Sequence, residues 1–162
     1  MIIYSKFDTL KGDVTTPGYE DNSKLMQCSY GVSNLDPCKS GSTNTRRASK
    51  VEFDTVVISK EEDAASIQLI DAANKHSVLN TVELAFLNIN DNNAPTKLLN
   101  IVLSNVRILS HIQETCGQTG LSIESYVMSF SQFKHTATQF NTSGKAVGQS
   151  VFEYNLETGQ CS

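Results

Sequence analysis

Residues Val51–Lys75 read "VEFDTVVISKEEDAASIQLIDAANK". Across this stretch the apolar residues change their period from two to that of a helix, so it encodes one strand followed by one helix. Val51 to Ile58 alternates and is rich in β-branched residues, as a half-buried strand requires. Ser59 and Glu62 have the spacing of a capping box, in which the serine oxygen accepts an amide proton and the glutamate reaches back. That spacing predicts a helix over 60–75. Ala65, Leu69, Ala72 and Ala73 form its apolar stripe. Ile67 and Ile70 fall off the stripe. A surface helix needs only one apolar face, so the two isoleucines require a second contact, either a broader core or a neighbouring subunit.

Working outward, Ile2 to Phe7 alternates as an opening strand, and Lys11-Gly12-Asp13 and Thr15-Thr16-Pro17-Gly18 punctuate turns. Leu25 to Ser33 reads as the second strand, with the Met26, Cys28 and Tyr30 row assigned to the core. Residues Asn34–Lys50, "NLDPCKSGSTNTRRASK", are almost devoid of apolar side chains. A loop of this length inside a compact domain is generally functional or disordered. Ser77 to Ile89 is a long strand, Asn90 to Pro95 a turn, and Leu98 to Ser110 the strand that pairs back. His111 to Gly120 is polar and turn-like. Leu121 to Phe130 and Phe133 to Phe140 are strands, Asn141 to Gly148 a loop, and Val151 to Asn155 a last strand. About eight strands and one helix, without βαβ alternation, predict a mainly β fold. The expected architecture is an antiparallel β-barrel or two-sheet sandwich with one flanking α-helix, in one domain spanning 1–162.

The chain has 162 residues and a net charge of -4 from 13 basic and 17 acidic side chains. A nucleic-acid binder usually carries a basic face, and only Arg46-Arg47 with Lys50 hints at one. No apolar run approaches the ~18 residues of a membrane span, which predicts no membrane insertion. The N-terminus lacks the features of a cleaved secretory signal. Cys28, Cys38, Cys116 and Cys161 show no CxxC spacing, so no zinc site is expected; a cytosolic start favours reduced thiols. His76, His111 and His135 sit in no metal-ligand motif. His76 follows the helix, where a cation is favoured, and Glu61-Glu62-Asp63 sits at its start, where acids are favoured. Asn90–Pro95 lacks the spacing of a calcium loop, and Gly144-Lys145 lacks that of a phosphate loop. No nucleophile elbow is present. On an enzyme reading the sequence is nearly silent, which shifts the expectation toward a binding or assembly protein.

The order of segments resembles a known family. "IIYSKFDTLKGDVT", "GYED…MQCSYGVSN", "FDTVVISKEEDAASIQLIDAANK", "LLNIVLSNVRILS" and "IESYVMSFSQF" follow the layout of the haemolysin-coregulated protein family, the tube subunits of the bacterial type VI secretion system. The most specific matches are Gly31-Val32-Ser33 after the second strand and the strand Glu124–Phe130, similar to the family's Glu-x-x-x-Leu-x-Phe. Tyr30 stands where the family commonly has tryptophan, of which this chain has none. The helix lacks the frequent Ser-Pro start, 133–148 is longer and more polar than the family layout leads one to expect, and "LETGQCS" is peculiar to this chain.

The resemblance implies homo-hexameric rings stacked into a hollow tube, with sheath, spike and effector proteins as partners. It also implies assembly in the bacterial cytoplasm and export without a cleaved signal peptide. On that model Ser40, Thr43, Asn44, Arg46 and Arg47 belong to a ring-stacking loop, and Ile67 and Ile70 to a subunit interface. The alternative is a monomeric β-barrel binding module for carbohydrate or single-stranded nucleic acid. That function needs exposed aromatic platforms, whereas the aromatics here fall mostly on strand faces expected to be buried.

Overall fold

A computed structural model describes residues 1–34, 51–89, 95–158 and 160–161. The elements are β1 (Ile2–Phe7), β2 (Ser23–Ser29), β3 (Val32–Asn34), β4 (Val51–Phe53), β5 (Val56–Glu61), α1 (Ser66–Asn74), β6 (Leu79–Ile89), β7 (Pro95–Cys116), β8 (Leu121–Ser129), β9 (Gln132–Phe140), β10 (Ala146–Asn155) and β11 (Gln160–Cys161). The main antiparallel sheet runs β11-β10-β9-β7-β6-β1-β2-β5-β8, and an additional β7–β8 pairing joins its ends. Strands β6, β1, β2, β5, β8 and β7 thereby close into a barrel, as expected of a mainly β chain. The short strands β3 and β4 form a second sheet.

β7 makes closure possible because it is long. One side pairs with β6 from Pro95 to Val106. The other pairs with β9 from Leu99 to Ser104 and with β8 from Arg107 to Cys116. β8 and β9 therefore run on from one another along the same side of β7. Ser131 N–H donates to Ser104 O (3.0 Å) at the bend between them. β8 turns into the barrel towards β5, while β9 turns out and carries β10 as a wing.

Alternation places Phe7, Leu25, Val56, Ile58, Val82, Leu84, Ile101, Leu103, Val106, Tyr126 and Met128 inside. Each such apolar side chain contributes about 1.5–3 kcal/mol relative to exposure. Helix α1 lays Leu69 and Ala72 on this core together with Ala65 at its N-cap, with Ala73 partly buried against it, the stripe expected from its spacing. Phe53 of β4 packs in an aromatic cluster with Phe130, Phe133, Phe152 and Tyr154, which ties the small sheet to the wing.

Several expectations are corrected. The helix covers Ser66–Asn74 rather than 60–75. Ser59 lies in β5 and its hydroxyl pairs with that of Ser125 on β8 (2.9 Å), so it caps nothing. The acceptor at the helix start is Asp63 Oδ1, which receives the Ala65 N–H at 3.0 Å. The Met26, Cys28 and Tyr30 row does not form one core face. The register shifts between Leu25 and Gln27, and this bulge swaps faces midway. Leu25 is 4% exposed and Met26 54%, while Cys28 packs partly against the core beyond the bulge. Tyr30 is half-exposed against Phe133.

The strand predicted to reach Ser33 breaks at Gly31. A Cβ there would come within 2.8 Å of Asp54 Oδ2, and Gly31 O accepts the Asp54 N–H. Asp54 likewise falls in the gap dividing the predicted 51–58 strand into β4 and β5. The polar segment His111–Gly120 is turn only at its end, since His111–Cys116 extends β7. β10 begins at Ala146, inside the predicted 141–148 loop, and β11 is additional.

Candidate functional site

Behind the helix lies a largely buried polar cluster built from β5, β8 and α1. Lys60 alternates inward with Val56 and Ile58, although it is cationic. Its Nζ donates to Asp63 Oδ1, Ser66 Oγ and Glu124 Oε2, each at 2.8 Å, and to Glu61 O at 3.2 Å. Lys60, Ser66 and Glu124 are fully buried. Ser66 Oγ donates to Glu124 Oε2 (2.7 Å) and accepts from Asp63 N–H (2.9 Å). The Tyr126 hydroxyl donates to the same Glu124 oxygen (3.1 Å). Burial, and secondly the Glu124 charge, pushes the Tyr126 phenol well above its ordinary range, so it stays a donor.

The His111 and Tyr126 rings pack in a tilted arrangement with centroids 4.8 Å apart, and His111 Nε2 lies 3.9 Å from Glu124 Oε1. Buried charges must be paired and hydrogen-bonded to be tolerated. Here they staple the start of α1 to adjacent barrel strands. Ser66, Lys60 and Glu124 are without solvent contact, while their neighbour Asp63 keeps a small exposed fraction.

The outer surface is different in character. With Ile58 and Tyr126 inward, Val57, Ile112, Ile123 and Val127 point outward across β5, β8 and β7. Ile112, Leu109 and Leu121 are largely exposed. On α1, Ile67 is 70% exposed and Ile70 only partly buried, while Leu69 between them is in the core. Two long strand edges also lack a strand partner among the described residues. One is Arg107–Cys116 of β7, on the side beyond the end of β6. The other is β10 from Ala146 to Glu153, because β11 covers only Tyr154 and Asn155.

Of the residues proposed from sequence, Ser40, Thr43, Asn44, Arg46 and Arg47 lie outside the described residues. Ile67 and Ile70 share α1. His76 follows the helix with a left-handed φ of 53. Cys28 and Cys116 are free thiols. Burial pushes the Cys28 thiol up to about 11, whereas hydrogen bonds from Thr119 and Gln118 hold exposed Cys116 below its usual range. The sequence alone does not join Lys60, Asp63, Ser66 and His111 into a cluster. The available signal was a lysine at a core-facing position of a strand, which becomes meaningful only when Glu124 is known to lie opposite it. Among the described residues no cluster of His, Cys, Asp or Glu could hold a metal, and no helix is long and apolar enough to cross a membrane.

A closed antiparallel barrel with one buttressing helix and a strand wing defines a class of small β-barrel protein. The chain belongs to the Hcp family of the type VI secretion system, described as "Type VI secretion system effector, Hcp", whose model matches residues 4–137. A solved structure described as that of a type six secretion system protein superposes with a TM-score of 0.90 at 19% identity, covering 99% of both chains. Hcp1 from Salmonella typhimurium superposes with 0.78 at 16% identity, covering 99% of this chain and 98% of its own. A type VI secretion system effector from Yersinia pestis gives 0.75 at 14%, covering 94% and 98%. Comparison with curated protein sequences finds no match.

Proposed function

We propose that the protein is a structural subunit of the type VI secretion tube. In this reading it assembles into homo-hexameric rings that stack into a hollow tube, carries effectors in the lumen, and meets the sheath and spike from outside and at the tip. It assembles in the bacterial cytoplasm and leaves the cell without a cleaved signal peptide. It performs no bond-making chemistry.

The observation that carries the reading is the pair of strand edges that lack a strand partner among the described residues. They face opposite sides of the β7/β8–β9 ribbon, so one copy offers two different surfaces. Head-to-tail contact between unlike surfaces generates a closed ring or a filament. It also covers edges that a solitary protein has to protect by other means. The exposed apolar residues beside them, Leu109 and Ile112 on β7 and Val147 and Val151 on β10, suit burial between copies. Phe130 and Phe133, by contrast, are buried against other rings and are unavailable for stacking a base or a sugar. Residues Ser40–Arg47 are proposed as the contact between rings, and Ile67 and Ile70 as part of the contact within them.

Sedimentation velocity with negative-stain microscopy on the purified chain tests this. Rings are the expected particles, with loss of assembly when Val147 and Val151 are both changed to lysine and the fold is retained. A wild-type chain that stays monomeric at high concentration overturns the proposal.

A further inference from the structure

A second, smaller apolar cluster lies on the outside of the barrel, where Tyr4, Ala85 and Leu87 of β1 and β6 pack with Val14 and Tyr19. It holds residues 8–22 against the sheet as a strap. Val14 N–H donates to Asn22 O (2.9 Å) and Asp21 N–H to Val14 O (3.0 Å), so the strap folds back on itself. Its tip is closed by Tyr19 N–H on Thr16 O (2.9 Å), with Pro17 and Gly18 at the centre. Gly18 has a φ of 83, as the third position of a type II turn requires. The Tyr4 hydroxyl is hydrogen-bonded to Thr16 Oγ1 at 2.9 Å, and the Tyr4 and Tyr19 rings pack with centroids 5.5 Å apart.

Between this strap and β1, β6 and β7 runs a groove of about 280 Å³. Ala85 and the Tyr19 ring supply its apolar lining, and its charges balance, Lys6 and Lys97 against Glu20 and Glu83. Lys97 Nζ is held by Glu83 Oε1 (3.1 Å) and stands 5.7 Å from the centroid of the Tyr19 ring. Glu20 Oε2 accepts the Gly18 N–H (2.9 Å), which fixes that carboxylate at the turn. The Lys6 ammonium, by contrast, has no ion pair or hydrogen bond among the described residues. Asn22, which also lines the groove, is only 8% exposed, yet its side-chain amide makes no hydrogen bond among the described residues. Buried polar groups are normally paired. An amide nine-tenths buried beside a polar groove and left unbonded by the chain marks a place for an outside partner.

We propose that this groove binds a small zwitterion of amino-acid or dipeptide size, its carboxylate on Lys6 and Asn22 and its ammonium on Glu20. An ammonium and an amide N–H together are a donor set for a carboxylate. Glu83 is already neutralised by Lys97, which leaves Glu20 as the counter-charge for a cation. Equal numbers of cations and carboxylates in the lining disfavour a ligand of one sign, which would meet like charge at one end. The pinned turn and the Glu83–Lys97 pair fix the walls in advance, so little ordering is needed on binding. The groove belongs to a single chain, so the proposal stands or falls independently of ring assembly.

Saturation-transfer NMR, which observes the ligand and works on monomers and assemblies alike, tests this on the full chain with L-alanyl-L-alanine as probe. Saturable binding is expected below about 10 mM. Acetylating the amino end or amidating the carboxyl end of the dipeptide should each weaken binding about tenfold, because each removes one charge-assisted contact. Lys6→Met, at an exposed position, should keep the fold and also weaken binding about tenfold. Asn22→Asp keeps the shape of the side chain but replaces the donor with a repelling carboxylate, and should weaken it at least as much. Absence of saturable binding overturns the proposal, as do equal affinities for the native and end-blocked dipeptides. Unchanged binding to folded Lys6→Met overturns it as well.

Discussion

Lys60 on β5 and Glu124 on β8 are direct cross-strand partners, and their side chains meet at 2.8 Å with neither exposed to solvent. The pair is the point where two barrel strands and the start of α1 are joined. Taking charges out of water is expensive, and mutual attraction compensates only while both partners are present.

Removing one partner should therefore do more harm than removing both. Lys60→Met leaves buried Glu124 and partly exposed Asp63 without their cation and should cost about 3–5 kcal/mol of folding stability. Lys60→Met with Glu124→Leu should recover much of that loss. Urea denaturation of the two single variants and the double variant measures the coupling, and additive losses would show that the charges do not depend on each other.

The two helix isoleucines differ in exposure, which separates their roles in folding. Ile67→Glu should change stability by no more than about 0.5 kcal/mol, the usual range for an exposed site. Ile70 is partly buried, so Ile70→Glu should lower the melting temperature further. If α1 flanks a subunit contact, both variants shift assembled particles towards monomer. Sedimentation velocity checks this, and unchanged assembly with Ile67→Glu removes the helix from the interface.

The thiols should react in a fixed order. Thiolate is the nucleophile. With its pKa pushed up to about 11 and its side chain partly buried, Cys28 should resist alkylation at neutral pH. Exposed Cys116, held below its usual range, should be labelled first, and its rate should level off at lower pH than that of a free cysteine. Timed alkylation with peptide mass mapping distinguishes the sites.

Contacts within and between rings should be separable. Deleting Ser40–Thr45 should leave single rings intact while weakening their stacking, because the barrel strands are untouched. Electron microscopy reads the outcome directly, and loss of the rings themselves would assign this segment to the contact between neighbours in a ring.

Much of the architecture was legible along the chain. Alternation marked β1, β6, β8 and β9, and the Ala65, Leu69, Ala72 stripe marked the buried face of α1. These signals are local, since side-chain period and turn chemistry depend on a few consecutive residues. The helix start was misplaced because Ser59 and Glu62 have capping spacing, while the pairing of Ser59 with Ser125 holds that residue in a strand. No window around Ser59 contains Ser125.

By itself, then, the amino-acid order determined a mainly β chain with one amphipathic helix and the family layout it shares. Only the tertiary structure decided which face of β2 enters the core, because a bulge at Met26 reverses the alternation midway. It alone also decided that β7 is long enough to close a barrel with β8 and carry a wing on β9. The burial of Lys60 belongs with these, since a lysine inside a barrel is stable only if carboxylates from distant segments arrive beside it. Register between strands far apart in sequence sets that meeting, and register is a property of the assembled sheet rather than of any one strand.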